Sequence, residues 1–304
     1  MATRTPSASC KPADSSAGIQ TSPSVAVQAS APALLVLADC VDGGIGLWKL
    51  EPTGTWTILG PAPDGEAIAR DGALISIAHA DSIESRSVTK PDQTLQTAPL
   101  KWPGSVPDAP IRAIDMSPSG STAIVAADEQ SESYWVVSGD GHVTQLEAAP
   151  QSSFTPLVAW IDADRFLTLS EGTDATSRIV VVDPSRNSSQ TIPTPIGVRR
   201  FALSLDRSSV AVALDSGIYV CPVSALLNGA QQAWVGSVSA SQEVLDVTMD
   251  QTGAHLAVLV GSMAADGTAE SIRELGYTKD GSGWTWTYDA LAPFTRALGQ
   301  IWLG

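Results

Sequence analysis

Cysteine and basic side chains are both scarce in this sequence of 304 residues. Only three cysteines occur, Cys10, Cys40 and Cys221, and their spacing matches neither a disulfide framework nor a metal site. The 17 lysines and arginines are outnumbered by 32 aspartates and glutamates, which gives a formal net charge of −15. Because an acidic surface repels nucleic-acid phosphates, the composition argues against a nucleic-acid partner.

The first cysteine leaves two interpretations open. A Cys10–Cys40 disulfide would tie the N-terminal segment to the rest of the chain. Lipidation of Cys10 would instead require a preceding apolar run, which residues 6–9 do not supply. Cys221 lies in an apolar stretch and is expected to be a small buried residue in a strand.

Long apolar runs are absent as well. No stretch approaches the roughly 20 apolar residues of a transmembrane helix, and the first residues contain no signal-peptide core. Residues 3–30 are rich in alanine, serine, threonine and proline, a composition typical of linkers. We therefore predict a disordered tail or linker over residues 1–22, able to act as a membrane tether, before a folded domain over residues 23–304. This arrangement favours an exported, extracytoplasmic protein, and a cytoplasmic location is the alternative.

What the sequence does contain is a repeat of about 45 residues, in which a short β run, a polar turn and a strongly apolar β run follow one another. Five copies are recognisable, with equivalent turn positions at Gly72, Gly120, Asp164, Ser208 and Gly253. Such residues suit tight turns. The apolar runs are continuous, as in residues 210–214, which is typical of strands buried on both faces.

Each copy has room for two more strands. In the second copy, residues 134–137 and 142–146 flank the turn-forming residues 138–141, which indicates a hairpin. Four strands per repeat, arranged radially, are typical of a β-propeller. We therefore predict an all-β protein with a single β-propeller of six four-stranded blades. Seven blades are the alternative, if residues 89–102 belong to a further repeat.

Strands from both ends of the chain are expected to share one blade. Residues 34–37, 46–50 and 55–59 supply three β runs, and residues 294–302 supply the fourth, so that the last strand clasps the first blade. Residues 24–28 compete for the same innermost position, and the sequence leaves both options open.

Three segments resemble known propeller repeats. Residues 115–120, followed by an apolar strand, resemble the S-P-D-G turn of TolB-type propellers, although Ser119 replaces the aspartate. Residues 199–212 are similar to repeats of LpqB-type lipoprotein propellers, and residues 46–50 resemble the end of a WD repeat. The resemblance spans residues 32–304 at the level of whole blades. It implies the propeller fold and a role as a binding module or scaffold in a bacterial envelope, and it transfers no catalytic residue.

Motifs of enzymatic propellers are weak or missing. One imperfect sialidase-like box occupies residues 278–284, and two asparagines, Asn187 and Asn228, are too few for a calcium-dependent lactonase site. The three histidines fall in different repeats, and neither a nucleophile elbow nor a phosphate-binding loop occurs. We therefore predict no catalytic residue, no metal site and no cofactor.

The start of each innermost strand is expected to face the mouth of a central channel. The candidate ligand-binding residues near these starts are Glu66, Arg112, Arg199, Arg200, Glu243 and Arg296, with Trp102 in a loop at the same face. The arginines offer planar sets of donors that suit an anionic ligand, or they pair with neighbouring carboxylates. We predict a non-catalytic binding or scaffold propeller that recognises a protein or a small ligand at this mouth. The alternative is a hydrolase or lyase acting at the same place.

Overall fold

Six antiparallel sheets of four strands each make up the protein in the computed structural model. The structure describes residues 33–40, 43–52, 54–105, 109–127, 132–147, 157–171, 176–215, 217–229, 233–239, 242–263, 269–281 and 283–303. The sheets form a ring. Five of the six neighbouring pairs contact each other through their innermost strands, and the fourth and fifth sheets along the chain contact through the third strand of the one and the innermost strand of the other. The prediction of an all-β propeller with six four-stranded blades is confirmed.

Blades 2 to 6 each consist of four strands that are consecutive in sequence, the first of which is innermost. Blade 1 contains β1 (Leu34–Asp39), β2 (Ile45–Leu50) and β3 (Trp56–Pro61). Blade 2 contains β4 (Ala67–Asp71), β5 (Leu74–His79), β6 (Ser82–Ser87) and β7 (Lys90–Pro99). Blade 3 contains β8 (Ile111–Met116), β9 (Thr122–Ala127), β10 (Glu132–Val137) and β11 (Val143–Leu146).

The remaining blades follow the same order. Blade 4 contains β12 (Ala159–Trp160), β13 (Phe166–Glu171), β14 (Ser177–Asp183) and β15 (Ser188–Ile196). Blade 5 contains β16 (Val198–Leu203), β17 (Ser209–Leu214), β18 (Gly217–Pro222) and β19 (Ala233–Gly236). Blade 6 contains β20 (Gln242–Met249), β21 (His255–Met263), β22 (Ala269–Asp280) and β23 (Gly283–Leu291). The last strand, β24 (Ala297–Trp302), returns to blade 1.

Helix is confined to two short segments of the described chain. A 3-10 helix (Pro184–Arg186) joins β14 to β15, and α1 (Val223–Leu227) joins β18 to β19. Neither has the length and apolar character that a membrane-crossing helix needs, and the rest of the described residues add no such helix.

The two ends of the chain meet in blade 1. Strand β24 is innermost there and pairs antiparallel with β1, so that Leu34 lies opposite Trp302 and Leu35 opposite Ile301. The predicted clasp between the chain ends is therefore confirmed. Residues 90–99 form the outer strand of blade 2 and not a further blade, so the seven-blade alternative is wrong.

The core lies between the blades, and β17 illustrates why its sequence is apolar at every position. Val210 and Val212 pack with the side chains of blade 4. Ala211 and Ala213 point the opposite way and pack with blade 6. All four are completely buried, because successive side chains of a strand face opposite sides and both sides are covered here.

The turns within the blades follow the predicted positions with two departures. Gly72, Gly120 and Gly253 have φ angles of 53°, 85° and 71°, which glycine adopts easily because it lacks a Cβ atom. In blade 5 the positive φ falls on Arg207, at 57°, and not on the predicted Ser208. In blade 4 the predicted position Asp164 has no positive φ, and Asp162 Oδ1 accepts the backbone N–H groups of Asp164 and Arg165 in this turn.

The cysteines differ in state. Cys40 forms a disulfide, whereas Cys221 in β18 is a free and buried thiol. Cys10, the predicted tail over residues 1–22 and the candidate strand at residues 24–28 lie outside the described residues.

We expect Cys10 to be the partner of Cys40, because Cys221 is a free thiol and the sequence holds no other cysteine. Cleavage before Asp14 and Asp39 under non-reducing conditions should release the two cysteines on separate segments that remain joined by a disulfide. The joined species should separate on reduction, and mass spectrometry of both samples provides the comparison. A Cys10 peptide that is already free before reduction would contradict the pairing.

Candidate functional site

The innermost strands surround a central channel with a cavity of about 830 Å³. Charged side chains from all six blades line it, five arginines and five carboxylates: Arg70, Arg112, Arg200, Arg207, Arg296, Glu66, Asp115, Glu132, Glu171 and Asp246. The channel is therefore balanced in formal charge, although the whole chain carries a net charge of −15. We call the end at which the inner strands begin the mouth, and the opposite end the floor.

The structure brings most of the predicted site residues to the mouth. The cavity is lined by Glu66, Arg112, Arg200 and Arg296. Arg199 and Glu243 stand at the starts of β16 and β20, on the rim outside the cavity lining.

Trp102 does not reach the channel. Its indole Nε1 donates a hydrogen bond to the Ala80 carbonyl at 3.2 Å, and its ring meets the ring of Trp135 edge-on at 5.2 Å. The tryptophan thus covers the junction between blades 2 and 3, which is a packing role.

Three channel carboxylates connect neighbouring inner strands. Glu66 Oε2 accepts the backbone N–H of Ile111 at 2.7 Å, and Asp115 Oδ2 accepts that of Trp160 at 2.6 Å. Asp246 Oδ2 accepts the N–H of Gln300 at 3.0 Å. Each acid lies one blade before its donor. Because the inner strands have no ladder hydrogen bonds to one another, these contacts fix the blades around the channel.

Burial changes the protonation of these acids. Removal from water raises the pKa of Asp115 to about 7 and that of Asp246 to about 6, against the opposing effect of their backbone hydrogen bonds and of nearby arginines. Burial also raises the pKa of Glu66. The arginines keep their charge at neutral pH. Near neutral pH, partial protonation of Asp115 therefore shifts the charge balance of the channel toward positive.

The arginines of blade 5 are already engaged at the mouth. Arg199 forms an ion pair with Asp215 at 2.7 Å, which raises the pKa of its guanidinium. Arg200 donates from Nε to the Leu245 carbonyl at 2.6 Å and from Nη1 to the Arg199 carbonyl at 2.8 Å. Arg199 thus pairs with a carboxylate, whereas the hydrogen bonds of Arg200 go to backbone carbonyls.

The floor of the channel is closed by an arginine that the sequence did not single out. Arg207 reaches from blade 5 across the channel and donates from Nε to the Trp160 carbonyl at 2.9 Å and from Nη2 to the Met116 carbonyl at 2.6 Å. The same Nη2 lies 3.9 Å from a carboxylate oxygen of Asp71 in blade 2. Beside it, Arg70 donates to the carbonyl of Trp302. Only its position in the sequence points to Arg207: it lies in the repeated turn in which blades 2, 3 and 6 carry a glycine with positive φ.

Arg207→Ala should lower the free energy of unfolding by about 1–3 kcal/mol, because two charge-assisted hydrogen bonds to carbonyls are lost while channel water rehydrates the acceptors. Arg207→Gly should lose roughly 0.5–1 kcal/mol less than Arg207→Ala, because glycine tolerates the positive φ. Urea denaturation of both variants measures the difference. An alanine variant as stable as the wild type would show that the floor contacts contribute nothing.

A second charged network adjoins the mouth in blade 2. His79 Nε2 lies 3.2 Å from Glu84 Oε2, and Arg86 Nε donates to Glu84 Oε1 at 2.8 Å. Although burial opposes it, this set of partners lowers the pKa of Glu84. The three histidines fall in different repeats, and His79 finds its partner Glu84 on the neighbouring strand β6. The described residues hold no cluster of three or more histidine, cysteine or acidic side chains suited to a metal ion.

Comparison with known proteins yields structural likeness only. The chain matches no protein-family model and no curated protein sequence. It is similar to TolB from Acinetobacter baumannii, with 10% identity and a TM-score of 0.60 over 90% of this chain and 66% of that one. It is also similar to a protein described as a TolB from Agrobacterium tumefaciens, with 11% identity and a TM-score of 0.57 over 88% of this chain and 92% of that one. At such identities the likeness concerns the fold alone. The chain is therefore a six-bladed β-propeller with a TolB-like fold.

Proposed function

We propose that this protein is a non-catalytic binding or scaffold propeller that recognises a protein or a small ligand at the channel mouth. The observation that carries the proposal is a cavity of about 830 Å³ with Arg207 across its floor and exposed charged side chains at its mouth. A concave site of this size with a few convergent polar groups is typical of ligand pockets. The arginines at the mouth suit the acidic groups of a ligand.

An extracytoplasmic location completes the proposal. The disulfide at Cys40 supports it, because disulfides persist in oxidising compartments and are rare in the cytosol. The linker composition of the N-terminal residues agrees with a tether ahead of the propeller. The fold likeness to proteins named TolB agrees with a role in a bacterial envelope.

Two carboxylates with raised pKa values bring the alternative, a hydrolase or lyase, into consideration. Asp115 and Asp246 both line the cavity, and such groups often serve as general acids or bases. They stand on β8 and β20, three blades apart in a ring of six, so they face each other across the channel and do not converge. Both also hold backbone N–H groups of the next blade, which favours the binding role.

A thermal-shift screen of metabolites and short peptides tests the proposal. We expect one or more compounds to raise the melting temperature of the wild type and of Arg186→Glu, whose side chain lies at an exposed 3-10 helix. The same compounds should lose their effect on Arg112→Glu and Arg296→Glu. Stabilisation that is equal in all four proteins would refute the mouth as the binding site.

Turnover assays with the same compounds, and with ester and glycoside substrates added, distinguish the enzyme alternative from the binding role. Turnover that disappears in both Asp115→Asn and Asp246→Asn would favour catalysis over simple binding. Binding without turnover in the wild type would support the proposed function.

A further inference from the structure

The mouth carries an alternating ring of charge. Five blades contribute a charged residue at or beside the start of the inner strand, blade 4 contributes one at the end of its second strand, and the sign changes from one blade to the next. In order from blade 1 to blade 6 these residues, which we call the mouth ring, are Arg296, Glu66, Arg112, Glu171, Arg199 and Glu243. Three arginines and three glutamates cancel in formal charge, and every member has neighbours of the opposite sign.

Contacts between the inner strands keep the members of the mouth ring near one level. Glu66 binds the N–H of Ile111, next to Arg112, and Arg200 binds the carbonyl of Leu245, close to Glu243. Arg112 and Arg199 also occupy β-bulges, at which the pairing register of β8 and β16 shifts. A bulge redirects its side chain and is common next to functional sites.

Two neighbours in the mouth ring form no direct contact with an oppositely charged side chain of the described residues, although the charges of Arg199 and Arg200 attract one of them, Glu243. Arg296 and Glu243, in blades 1 and 6, are exposed, and the described part of the chain gives their side chains no hydrogen bond and no ion pair within 4.0 Å. The backbone N–H of Arg296 is held by Asp39 Oδ1 at 2.9 Å, so the start of its strand is fixed. Glu66 and Arg199, the next members on either side, are already bonded to Ile111 and Asp215.

We propose that the mouth ring binds a small zwitterion, whose carboxylate pairs with Arg296 and whose ammonium group pairs with Glu243. This inference rests on the proposed function and specifies the chemistry of its ligand. Arg296 offers a bidentate set of donors to a carboxylate, and Glu243 accepts hydrogen bonds from an ammonium.

The alternating order selects against ligands of a single sign. A ligand with only a carboxylate on Arg296 would lie beside Glu66 and Glu243, which repel it. A ligand with only an ammonium on Glu243 would lie beside Arg296 and Arg199. A zwitterion that spans adjacent blades meets an opposite charge at both of its ends. The cavity of about 830 Å³ below the ring leaves room for the rest of a small molecule.

Triglycine and its end-capped forms test this inference, because they share one peptide backbone and differ only in whether the terminal ammonium and the terminal carboxylate are charged. Isothermal titration calorimetry of the full chain at low salt would compare triglycine with N-acetyltriglycine, which lacks the ammonium, and triglycine amide, which lacks the carboxylate. We expect triglycine to bind at least about tenfold more tightly than either capped form. High salt should weaken this preference.

Charge-neutral variants link each end of the probe to one residue. In Arg296→Gln, triglycine should bind no better than triglycine amide, because the carboxylate has lost its partner. In Glu243→Gln, it should bind no better than N-acetyltriglycine. Arg186→Gln serves as the control and should keep the wild-type preference, since that side chain lies at the exposed 3-10 helix.

The outcomes also separate this inference from the proposed function. Equal affinities for the three peptides, or no binding of triglycine at millimolar concentration, would overturn the zwitterion site. If the compound screen still finds ligands that depend on Arg112 and Arg296, the binding role stands and only the ligand class is wrong. If the screen finds none, the proposed function fails as well.

Discussion

Deleting residues 294–304 should open the ring and make the propeller aggregate. Without β24, blade 1 loses its innermost strand, and β1 is left with an unpaired edge that invites association. Trp302, only 2% exposed, leaves the core, and its indole bond to the Thr248 carbonyl in blade 6 is lost. Loss of one buried tryptophan typically costs about 3–5 kcal/mol, a large part of the ~5–15 kcal/mol that stabilises a domain.

Size-exclusion chromatography and thermal unfolding of two truncated proteins measure this effect. Removal of residues 1–22, the predicted tail, should change the melting temperature by almost nothing. Trp302→Ala tests the contribution of a single clasp side chain, and it should destabilise the protein while β24 still pairs. A protein lacking residues 294–304 that remains monomeric with an unchanged melting temperature would refute the clasp as the element that closes the ring.

Raising the pH from about 5 to about 8 should destabilise the protein by on the order of 3 kcal/mol, which corresponds to roughly 5–10 °C in melting temperature. Three carboxyls have raised pKa values, because partial or complete removal from water disfavours the charged form: Asp115 at about 7 and Asp246 at about 6, both half-buried in the channel wall, and the fully buried Glu274 well above its usual range. A group whose pKa is raised on folding stabilises the native state below its unfolded pKa. This stabilisation is lost as the pH rises through the folded pKa.

Glu274 should contribute to this loss. It is completely buried in β22, and neither carboxylate oxygen has a hydrogen-bond partner. Glu274→Gln removes the charge with little change in volume, so its stability should fall less as the pH rises than that of the wild type.

Acidic conditions should act in the opposite sense. Carboxyls with lowered pKa values, such as Glu84 and Asp206, stabilise the native state above their unfolded pKa and lose this effect as the pH falls through the folded pKa. Stability should therefore be greatest in the mildly acidic range. Urea denaturation across the pH range measures the profile, and a wild-type protein that is more stable at about pH 8 than at about pH 5 would contradict the assignment of protonated acids to the core.

The repeat along the chain determines the fold. A turn every 45 residues or so limits each blade to four short strands, and the apolar run at residues 210–214 requires neighbours on both faces. Only a ring of blades meets both conditions, and closure of the ring requires the last strand to join the first blade. For the same reason the candidate residues near the strand starts, such as Arg112 and Arg296, were found at the mouth.

Only the tertiary structure decides which charged side chains form hydrogen bonds or ion pairs with other protein groups and which do not. The partners of Glu66 and Asp115 lie one blade further along the chain. Arg207 of blade 5 finds its carbonyl acceptors in blades 4 and 3. Trp102 faces the neighbouring blade instead of the channel because Trp135 and the Ala80 carbonyl lie within reach. The pattern of apolar residues along a strand indicates which of its faces are buried, because most residues on a covered face have to be apolar. It does not record the distance between two side chains in different blades, because that distance depends on how the blades pack around the axis.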